Sequence, residues 1–374
     1  MSKKIYFTVG PSQIYPTVPV HIKNAIKNDI LSISHRGDQF KNIYGSMTSG
    51  LRKLLNIPET HEIIVLSSAL EAMDRVIQSM SHNKTYHILT GNFGKIWMNI
   101  ASDLGKSPEV LQFFNWDTGE IAKKSLDEIK IPKKSELVCI TQNDTSTGFS
   151  IPMSEIYKLQ DKNPDKLFAL DIVSSVPYVD IEYDKLDAVF FSVQKGFGLP
   201  AGLSILILSP KAIAKAEKLS KISGYSIGSY HNVLKLSKKS RNNQTNETPN
   251  VLGIYLLDLV IKDYLKSGLQ KLRKRLDLQS GMMYSFFSKP EYYSAFIKEG
   301  KYQSVTDPVF EILKGSTPLI KFAAEKGLIL GAGYKASSAG GIDFKEKHIR
   351  VANFPAITEK EIKKLFKVVK QFVN

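Results

Sequence analysis

The sequence predicts an α/β protein with a mostly parallel central sheet, helices on both faces and a smaller C-terminal α+β domain. Short apolar runs alternate with stretches of helical periodicity, beginning with EIIVLSS and ALEAMDRVIQSM over residues 62–80. This alternation is typical of parallel strands joined by crossover helices. With 374 residues, 43% of them hydrophobic, the chain can bury one large core and a second, smaller one.

The same alternation continues through the middle of the chain. Further strand-like runs are TYHILTG, ELVCITQ, KLFALDI, DAVFFSV and LSILILS. A low-complexity patch at residues 235–249 precedes the apolar helical stretch NVLGIYLLDLVIKDYL. We predict the domain change just after that helix, with a large domain at residues 16–265 and a small domain formed by residues 1–15 and 266–374.

Composition limits the classes of partner. The net charge of +15 would suit a nucleic-acid-binding protein on this fold. Lysines scattered through helical stretches such as KEIKKLFKVVKQF favour solvated helix faces instead, so no nucleic-acid partner is predicted. Cys139, the single cysteine, lies in an apolar run, and neither a disulfide nor a metal site is expected. Without a long apolar window, we expect a cytoplasmic protein that binds no membrane.

Two strand ends carry a carboxylate and an amine. Asp171 ends the run KLFALD, and Lys195 follows DAVFFSVQ 24 residues later. Ligands of parallel sheets bind where the carboxyl ends of the strands meet. An ionised aspartate can hold a pyridinium nitrogen protonated, and a lysine amine can form a Schiff base with an aldehyde. The pair favours a pyridoxal phosphate site; the alternative is that Asp171 caps a turn and Lys195 extends its amine to water.

Other strand ends agree with a pyridoxal phosphate site. SSALEAM at 67–73 places small residues before a helix, where main-chain N–H groups can hold a phosphate. Phe93 follows a strand and could stack on a flat ring. Asn143, Asp144 and Thr145 end another strand with short polar side chains that could reach a ring hydroxyl.

Taken in order, these motifs resemble those of class V aminotransferases, which are fold type I pyridoxal phosphate-dependent transferases. The resemblance rests on SSALEAM, GNFGKIW, QNDTSTG, LDIVSSVP, SVQKGFGLPAG and NETPNVLGIYLL and covers residues 5 to about 355. It implies pyridoxal 5'-phosphate as cofactor and a homodimer with shared active sites. It also implies the cofactor-binding residues Ser68, Ala69, Leu70, Phe93, Thr145, Asp171, Gln194, Lys195 and Thr248.

Within that set, the resemblance implies catalytic roles for Lys195, as the Schiff-base lysine, and for Asp171, as the partner of the pyridine nitrogen. It implies that Phe93 stacks on the ring and that Thr145 binds the phenolic oxygen. Ala69, Leu70 and Gln194 are expected to hold the phosphate, and Thr248 is expected to reach it from the second subunit.

Substrate residues are suggested by two further segments. ISHRGDQF resembles the part of phosphoserine aminotransferases in which a His-Arg pair, here His35 and Arg36, reaches across the dimer to the substrate phosphate. A guanidinium fork suits that anion, although the two residues could instead form a structural ion pair. Arg350 resembles the arginine that binds the substrate α-carboxylate. Tyr334 and Lys335 replace a second His-Arg pair, and Lys335 lacks the fork.

The reaction expected from the resemblance is transamination between small amino acids and 2-oxo acids. The preferred pair is 3-phosphohydroxypyruvate with glutamate, giving phosphoserine and 2-oxoglutarate in serine biosynthesis. An aminotransferase of the alanine-glyoxylate or serine-pyruvate type is the alternative, because it would share the cofactor site without needing His35 and Arg36. A basic nucleic-acid-binding protein on the same fold is less favoured.

Overall fold

The computed structural model describes residues 4–113, 115, 118–121, 125–289, 291–334 and 344–373. Its strands are β1 (Ile5–Phe7), β2 (Glu62–Leu66), β3 (Lys84–Leu89), β4 (Ser107–Gln112), β5 (Leu137–Thr141), β6 (Asn143–Asp144), β7 (Phe149–Ser150), β8 (Leu167–Asp171), β9 (Ala188–Ser192), β10 (Ser204–Leu208), β11 (Tyr293–Ala295), β12 (Val309–Ile312), β13 (Leu328–Ala332) and β14 (His348–Arg350). Its α-helices are α1 (Val18–Lys27), α2 (Asp38–Leu55), α3 (Ala69–Met80), α4 (Asn92–Asp103), α5 (Met153–Asp161), α6 (Pro210–Ser220), α7 (Val233–Ser240), α8 (Val251–Ser267), α9 (Leu269–Phe286), α10 (Ser316–Glu325) and α11 (Glu359–Val373).

The central sheet has seven strands in the order β2-β10-β9-β8-β5-β3-β4. The pairs from β9 to β4 are parallel, and β10 runs antiparallel to both of its neighbours. No helix separates β9 from β10, so the chain turns back and pairs antiparallel with the strand it has just left. The prediction of a mostly parallel sheet is confirmed.

Helices cover both faces of this sheet because its strands are apolar on both faces. Side chains alternate along β2: Ile63 and Val65 join the core under α2 and α8, while Ile64 and Leu66 join the core under α3, α4 and α6. A strand that is buried on both faces has a continuous apolar sequence, and β2 has the sequence EIIVL. Cys139 lies in β5 and is buried.

A second sheet of five strands has the order β1-β13-β14-β12-β11. The N-terminal strand β1 pairs in parallel with β13, and its Phe7 is buried in a core shared with α9, α10 and α11. Helix α8 ends at Ser267 and α9 begins at Leu269, next to the boundary expected at residues 265–266. The division into domains stays a prediction.

Membrane-spanning helices and metal sites are both absent from the described residues. No described helix combines the length and apolar character needed to cross a membrane. No group of three or more His, Cys, Asp or Glu side chains in this part of the chain is arranged to hold a metal ion.

Candidate active site

A cavity of about 420 Å³ lies at the carboxyl ends of the central strands. It is walled by the ends of β5, β8 and β9, the start of α3, the N-terminal segment 9–11 and Arg350 of the second sheet. Of the residues singled out in the sequence, those that line it are Ser68, Ala69, Leu70, Phe93, Asn143, Thr145, Asp171, Gln194, Lys195, Tyr334 and Arg350.

Lys195 is a buried lysine in the turn after β9. Its Nζ lies 3.4 Å from Thr145 Oγ1 and 5.1 Å from the centroid of the Phe93 ring. Burial lowers the pKa of the Lys195 amine, and the nearby carboxyls, Asp307 first, oppose that change. A lysine with a lowered pKa supplies more of the neutral amine that can attack an aldehyde or accept a proton.

The turn that carries Lys195 requires glycine. A Cβ at Gly196 would lie 1.7 Å from the carbonyl oxygen of Val176, and Gly198 has φ of +58°. The Tyr264 hydroxyl donates to the Gly196 carbonyl at 2.7 Å. The glycines crowded around the lysine therefore serve close main-chain packing that aims its side chain at the cavity.

Asp171, at the end of β8, is the second central group. Its Oδ1 accepts a hydrogen bond from the Val173 N–H at 2.9 Å. Burial raises the pKa of Asp171 to about 7, while the Val173 N–H and the Lys195 charge lower it. A buried carboxyl in this condition gains its charged form when a cation binds beside it, which fits a protonated pyridine nitrogen.

The start of α3 offers an anion site at one end of the cavity. Ser68 caps the helix by accepting from the Glu71 N–H at 3.2 Å, and Ser67 donates through N and Oγ to Glu71 Oε2 at 2.8 and 2.6 Å. The first N–H groups of a helix have no partner within it and carry its positive dipole. The main chain at Ala69 and Leu70 can thus hold a phosphate, although Leu70 has no side-chain donor.

Arg350 enters the cavity from β14 of the second sheet. Its Nε donates to the Ala332 carbonyl at 2.6 Å and its Nη1 to the Thr145 carbonyl at 3.3 Å. The guanidinium carbon lies 5.6 Å from the centroid of the Tyr334 ring. Because a guanidinium has five N–H donors, the fixed group keeps donors for a carboxylate.

Other predicted substrate and cofactor residues are absent from the described lining of this cavity. Arg36 donates from Nη1 to the Thr245 carbonyl at 2.8 Å and from Nη2 to the Asn246 carbonyl at 3.2 Å. These contacts bring His35 and Arg36 next to the segment that carries Thr248. Among the described residues Arg36 bonds main-chain oxygens and no carboxylate, which disfavours the structural ion pair. Lys335 lies outside the described residues.

A family model described as Aminotransferase class-V matches residues 6–365. The chain belongs to the class V aminotransferase family. It is a transaminase of fold type I that uses pyridoxal 5'-phosphate, as predicted.

The similarity to known aminotransferases covers nearly the whole chain. The crystal structure of a phosphoserine aminotransferase from Cytophaga hutchinsonii is 35% identical, with a TM-score of 0.92 and complete coverage of both chains. The phosphoserine aminotransferase of Corynebacterium glutamicum is 25% identical over 96% of this chain and 92% of the relative. An alanine-glyoxylate aminotransferase from Nostoc shares the fold at 17% identity, with a TM-score of 0.80 over 100% and 96% of the two chains.

Asp144 of the aminotransferase has a different position from the one expected, in which its side chain could reach a ring hydroxyl. Asp144 does not line the described cavity; its Oδ2 accepts from the Phe93 N–H at 2.9 Å at the start of α4, and its Oδ1 accepts from Ser146. A helix N-terminus attracts a carboxylate, so Asp144 positions Phe93 and does not reach toward a ring hydroxyl. A Cβ at Gly91 would meet the Asp144 carboxyl at 2.2 Å, which explains the glycine.

Two groups at the site were missed from the sequence. Segment 9–11 lines the cavity, and a Cβ at Gly10 would lie 2.9 Å from Lys195 Cε. Asp307 is buried behind the cavity wall and contributes to the electrostatics of Lys195 and Arg350. Asp307 is followed by Pro308, directly before β12. An aspartate before a proline is typical of an ordinary turn, and no feature of the sequence marks Asp307 as part of a site.

Proposed function

We propose that this aminotransferase converts 3-phosphohydroxypyruvate and glutamate to phosphoserine and 2-oxoglutarate, a step of serine biosynthesis. The observation that carries transamination is the meeting of Lys195, Asp171 and Arg350 in one cavity. The substrate is supported by the match over both full lengths to the Cytophaga hutchinsonii phosphoserine aminotransferase.

The proposed cofactor contacts follow the cavity from end to end. The N-terminus of α3, with Gln194, holds the phosphate, Phe93 stacks on the ring, and Asp171 keeps the pyridine nitrogen protonated. Thr145, 3.4 Å from Lys195 Nζ, binds the phenolic oxygen beside the lysine. When bound, the cofactor stores the electron pair released from the substrate α-carbon.

Lys195 and Arg350 are proposed to act directly on the amino acid. Arg350 binds the α-carboxylate with the donors left free by its bonds to Ala332 and Thr145, and this contact sets the orientation of the α-carbon. Lys195 Nζ, once freed by the substrate amine, is the base that takes the α-proton. Its lowered pKa favours the neutral amine that this step requires.

His35, Arg36 and Thr248 are proposed to serve the site of a second subunit in a homodimer. The Arg36 bonds to the carbonyls of Thr245 and Asn246 use two of its five donors and join the substrate-anion residues to the segment before Thr248. One rigid unit would thus carry a contact to the substrate phosphate and another to the cofactor phosphate. The cytoplasmic location stays a prediction.

Substitution of Arg36 tests the substrate. A phosphate left without its guanidinium partner loses roughly 2 to 5 kcal/mol of binding. Arg36→Ala should therefore weaken phosphoserine far more than alanine or serine, measured as kcat/KM for each amino donor. Arg241→Ala is the matched control, because Arg241 precedes Thr248 in the same stretch of chain but its guanidinium pairs with Glu62.

Subunit mixing tests whether Arg36 acts in the partner's site. Arg36→Ala and Lys195→Ala subunits should be nearly inactive alone, whereas the mixed dimer has one intact site and one doubly defective site. Recovery of activity on mixing is expected. Equal loss of activity on phosphorylated and unphosphorylated substrates, or a wild-type preference for alanine with glyoxylate, would favour the alanine-glyoxylate alternative.

A further inference from the structure

Asp307 is a fully buried carboxyl in the loop before β12. Its Oδ1 accepts from Ser304 Oγ at 2.6 Å and from Asn143 Nδ2, and Thr306 Oγ1 lies 3.1 Å away. Its Oδ2 is buried without a hydrogen-bond partner in the described part of the chain. The two donors at this oxygen favour the ionised form, since an ionised carboxylate only accepts.

The carboxyl lies directly behind the cavity wall. Asn143, which donates to it, lines the cavity, and Thr306 links it to the carbonyl of Ser174, another lining residue, at 2.6 Å. On its other side, the Val351 N–H donates to the Pro308 carbonyl at 3.0 Å, so Asp307 is adjacent to the strand that presents Arg350. It is therefore close to the reacting groups without being open to substrate.

The charged and titratable groups that Asp307 influences electrostatically come from three parts of the fold. They are Lys195 in the turn after β9, Arg350 in β14 and Tyr284 in α9. Tyr284 is held by its bond to the Ser304 carbonyl at 2.9 Å. The Lys195 amine is in turn faced by Asp171 at the end of β8 and by Asp144 after β5.

The carboxyls of Asp144, Asp171 and Asp307 have different surroundings and different roles. Asp144 is bonded to the start of α4, and Asp171 is placed to pair with the cofactor's ring nitrogen. Asp307 is the remaining carboxyl of the three near Lys195, and Asn143 separates it from the cavity. Its charge is therefore shielded from direct contact with a substrate that enters the cavity.

On the basis of the proposed role of Lys195, we propose that Asp307 is a positioning residue whose shielded negative charge keeps the Lys195 nitrogen protonated in the cofactor-loaded protein, before an amino acid binds and frees the neutral amine. The carboxyl acts through space, held by Ser304 and Asn143, and Asn143 separates it from the cavity that would hold substrate and cofactor. Burial raises the pKa of Asp307 to about 6, while the Ser304 hydroxyl and the Lys195 charge lower it. The hydrogen bonds from Ser304 and Asn143 favour the charged form of the carboxyl.

The experiment is a pH titration of the visible absorption of the cofactor-loaded protein, without substrate. Asp307→Asn keeps the shape of the side chain and removes the charge, so the absorption change should move to lower pH by about 1 pH unit. Ser304→Ala weakens the support of the carboxylate and should move it less, in the same direction. Asp187→Asn is the matched control, because Asp187 is buried and bonded to the Phe168 N–H and Ser209 Oγ, and should leave the titration unchanged.

A second readout uses the cofactor-free protein. The rate at which cofactor associates should depend on pH through the Lys195 ammonium, and Asp307→Asn should move that dependence to lower pH as well. If both titrations of a folded Asp307→Asn protein coincide with wild type, the proposal is wrong. If Lys195→Ala retains the visible absorption, the proposed role of Lys195 has failed instead, and phosphoserine turnover enters neither result.

Discussion

At the scale of single residues, burial sets the chemistry of the site. Lys195 and Asp171 are both enclosed, and burial moves the pKa of each toward its neutral form, lowering that of the amine and raising that of the carboxyl. The Asp171 charge partly raises the pKa of Lys195 again, and the Lys195 charge partly lowers that of Asp171. The cofactor-free cavity therefore holds two groups whose ionisation is costly until a ligand of suitable charge arrives.

This cost predicts a pH-dependent stability that Asp171→Asn removes. Asp171 titrates near 3.8 when unfolded and near 7 in the fold, so between these values the folded chain binds the extra proton and stability falls as pH rises. At pH 8 the buried Asp171 carboxyl destabilises the fold by roughly 4 kcal/mol. Cofactor-free Asp171→Asn should thus be more stable than wild type at pH 8 and similar near pH 4, measured by urea unfolding.

The same variant should bind cofactor poorly and lose most transaminase activity, because its amide cannot stabilise a protonated pyridine nitrogen. Near-normal turnover, or an unchanged slope of stability against pH, would mean that Asp171 is a structural cap.

At the scale of elements, the turn between β9 and β10 is the most constrained part of the site. Gly196 packs against the Val176 carbonyl, and the Ser12 N–H of the N-terminal segment donates to the Gln194 carbonyl at 3.0 Å. Two neighbouring segments thus hold the turn that carries Lys195. The motif that suggested chemistry from the sequence is also a packing motif.

A pair of glycine substitutions tests this reading of the turn. Gly196→Ala places a methyl group against main chain and should destabilise the protein by more than about 3 kcal/mol or prevent folding. Gly281→Ala, on α9, meets nothing within 4 Å and should stabilise it by about 0.5 to 1 kcal/mol. Thermal unfolding measures both; comparable effects of the two would show that the close contact at Gly196 is unimportant.

At the scale of the whole molecule, exposed apolar side chains cluster in the sequence around the residues proposed to act in a second subunit. Val20, Ile26 and Leu31 precede His35 and Arg36 in the chain, and each is more than half exposed. Leu70, at the start of α3, is 50% exposed beside the cavity. An apolar surface adjoining an active site is what a shared dimer interface would cover.

Leu31→Glu should disrupt this proposed interface. Leu31 is 56% exposed and four residues from His35, so a charge there would be buried on association and oppose it. We expect monomers in sedimentation analysis, retained secondary structure and a large loss of activity. Leu278→Glu, at a residue 72% exposed on α9, should remain dimeric and active. A dimeric and active Leu31→Glu protein would move the interface elsewhere.

The sequence by itself determined the strands, the helices and the chemistry of the strand ends. Apolar runs buried on both faces specify β2, β5, β8 and β9 locally, and the residues that follow them, including Asp171 and Lys195, inherit a common edge from parallel pairing. That is why residues of the proposed cofactor site could be expected to line one cavity before any contact was known. The antiparallel direction of β10 depends on a turn and could not be read from its apolar run.

Only the tertiary structure decided which carboxyl faces which group. Asp144 and Asp171 look equivalent as acids after strands, yet one is bonded to the start of α4 and the other lines the cavity. Asp307 reached the site because pairing of β12 with β14 brings distant segments together. Such contacts arise between residues far apart in the chain, where local pattern holds no information and burial, hydrogen bonding and charge are settled only by packing.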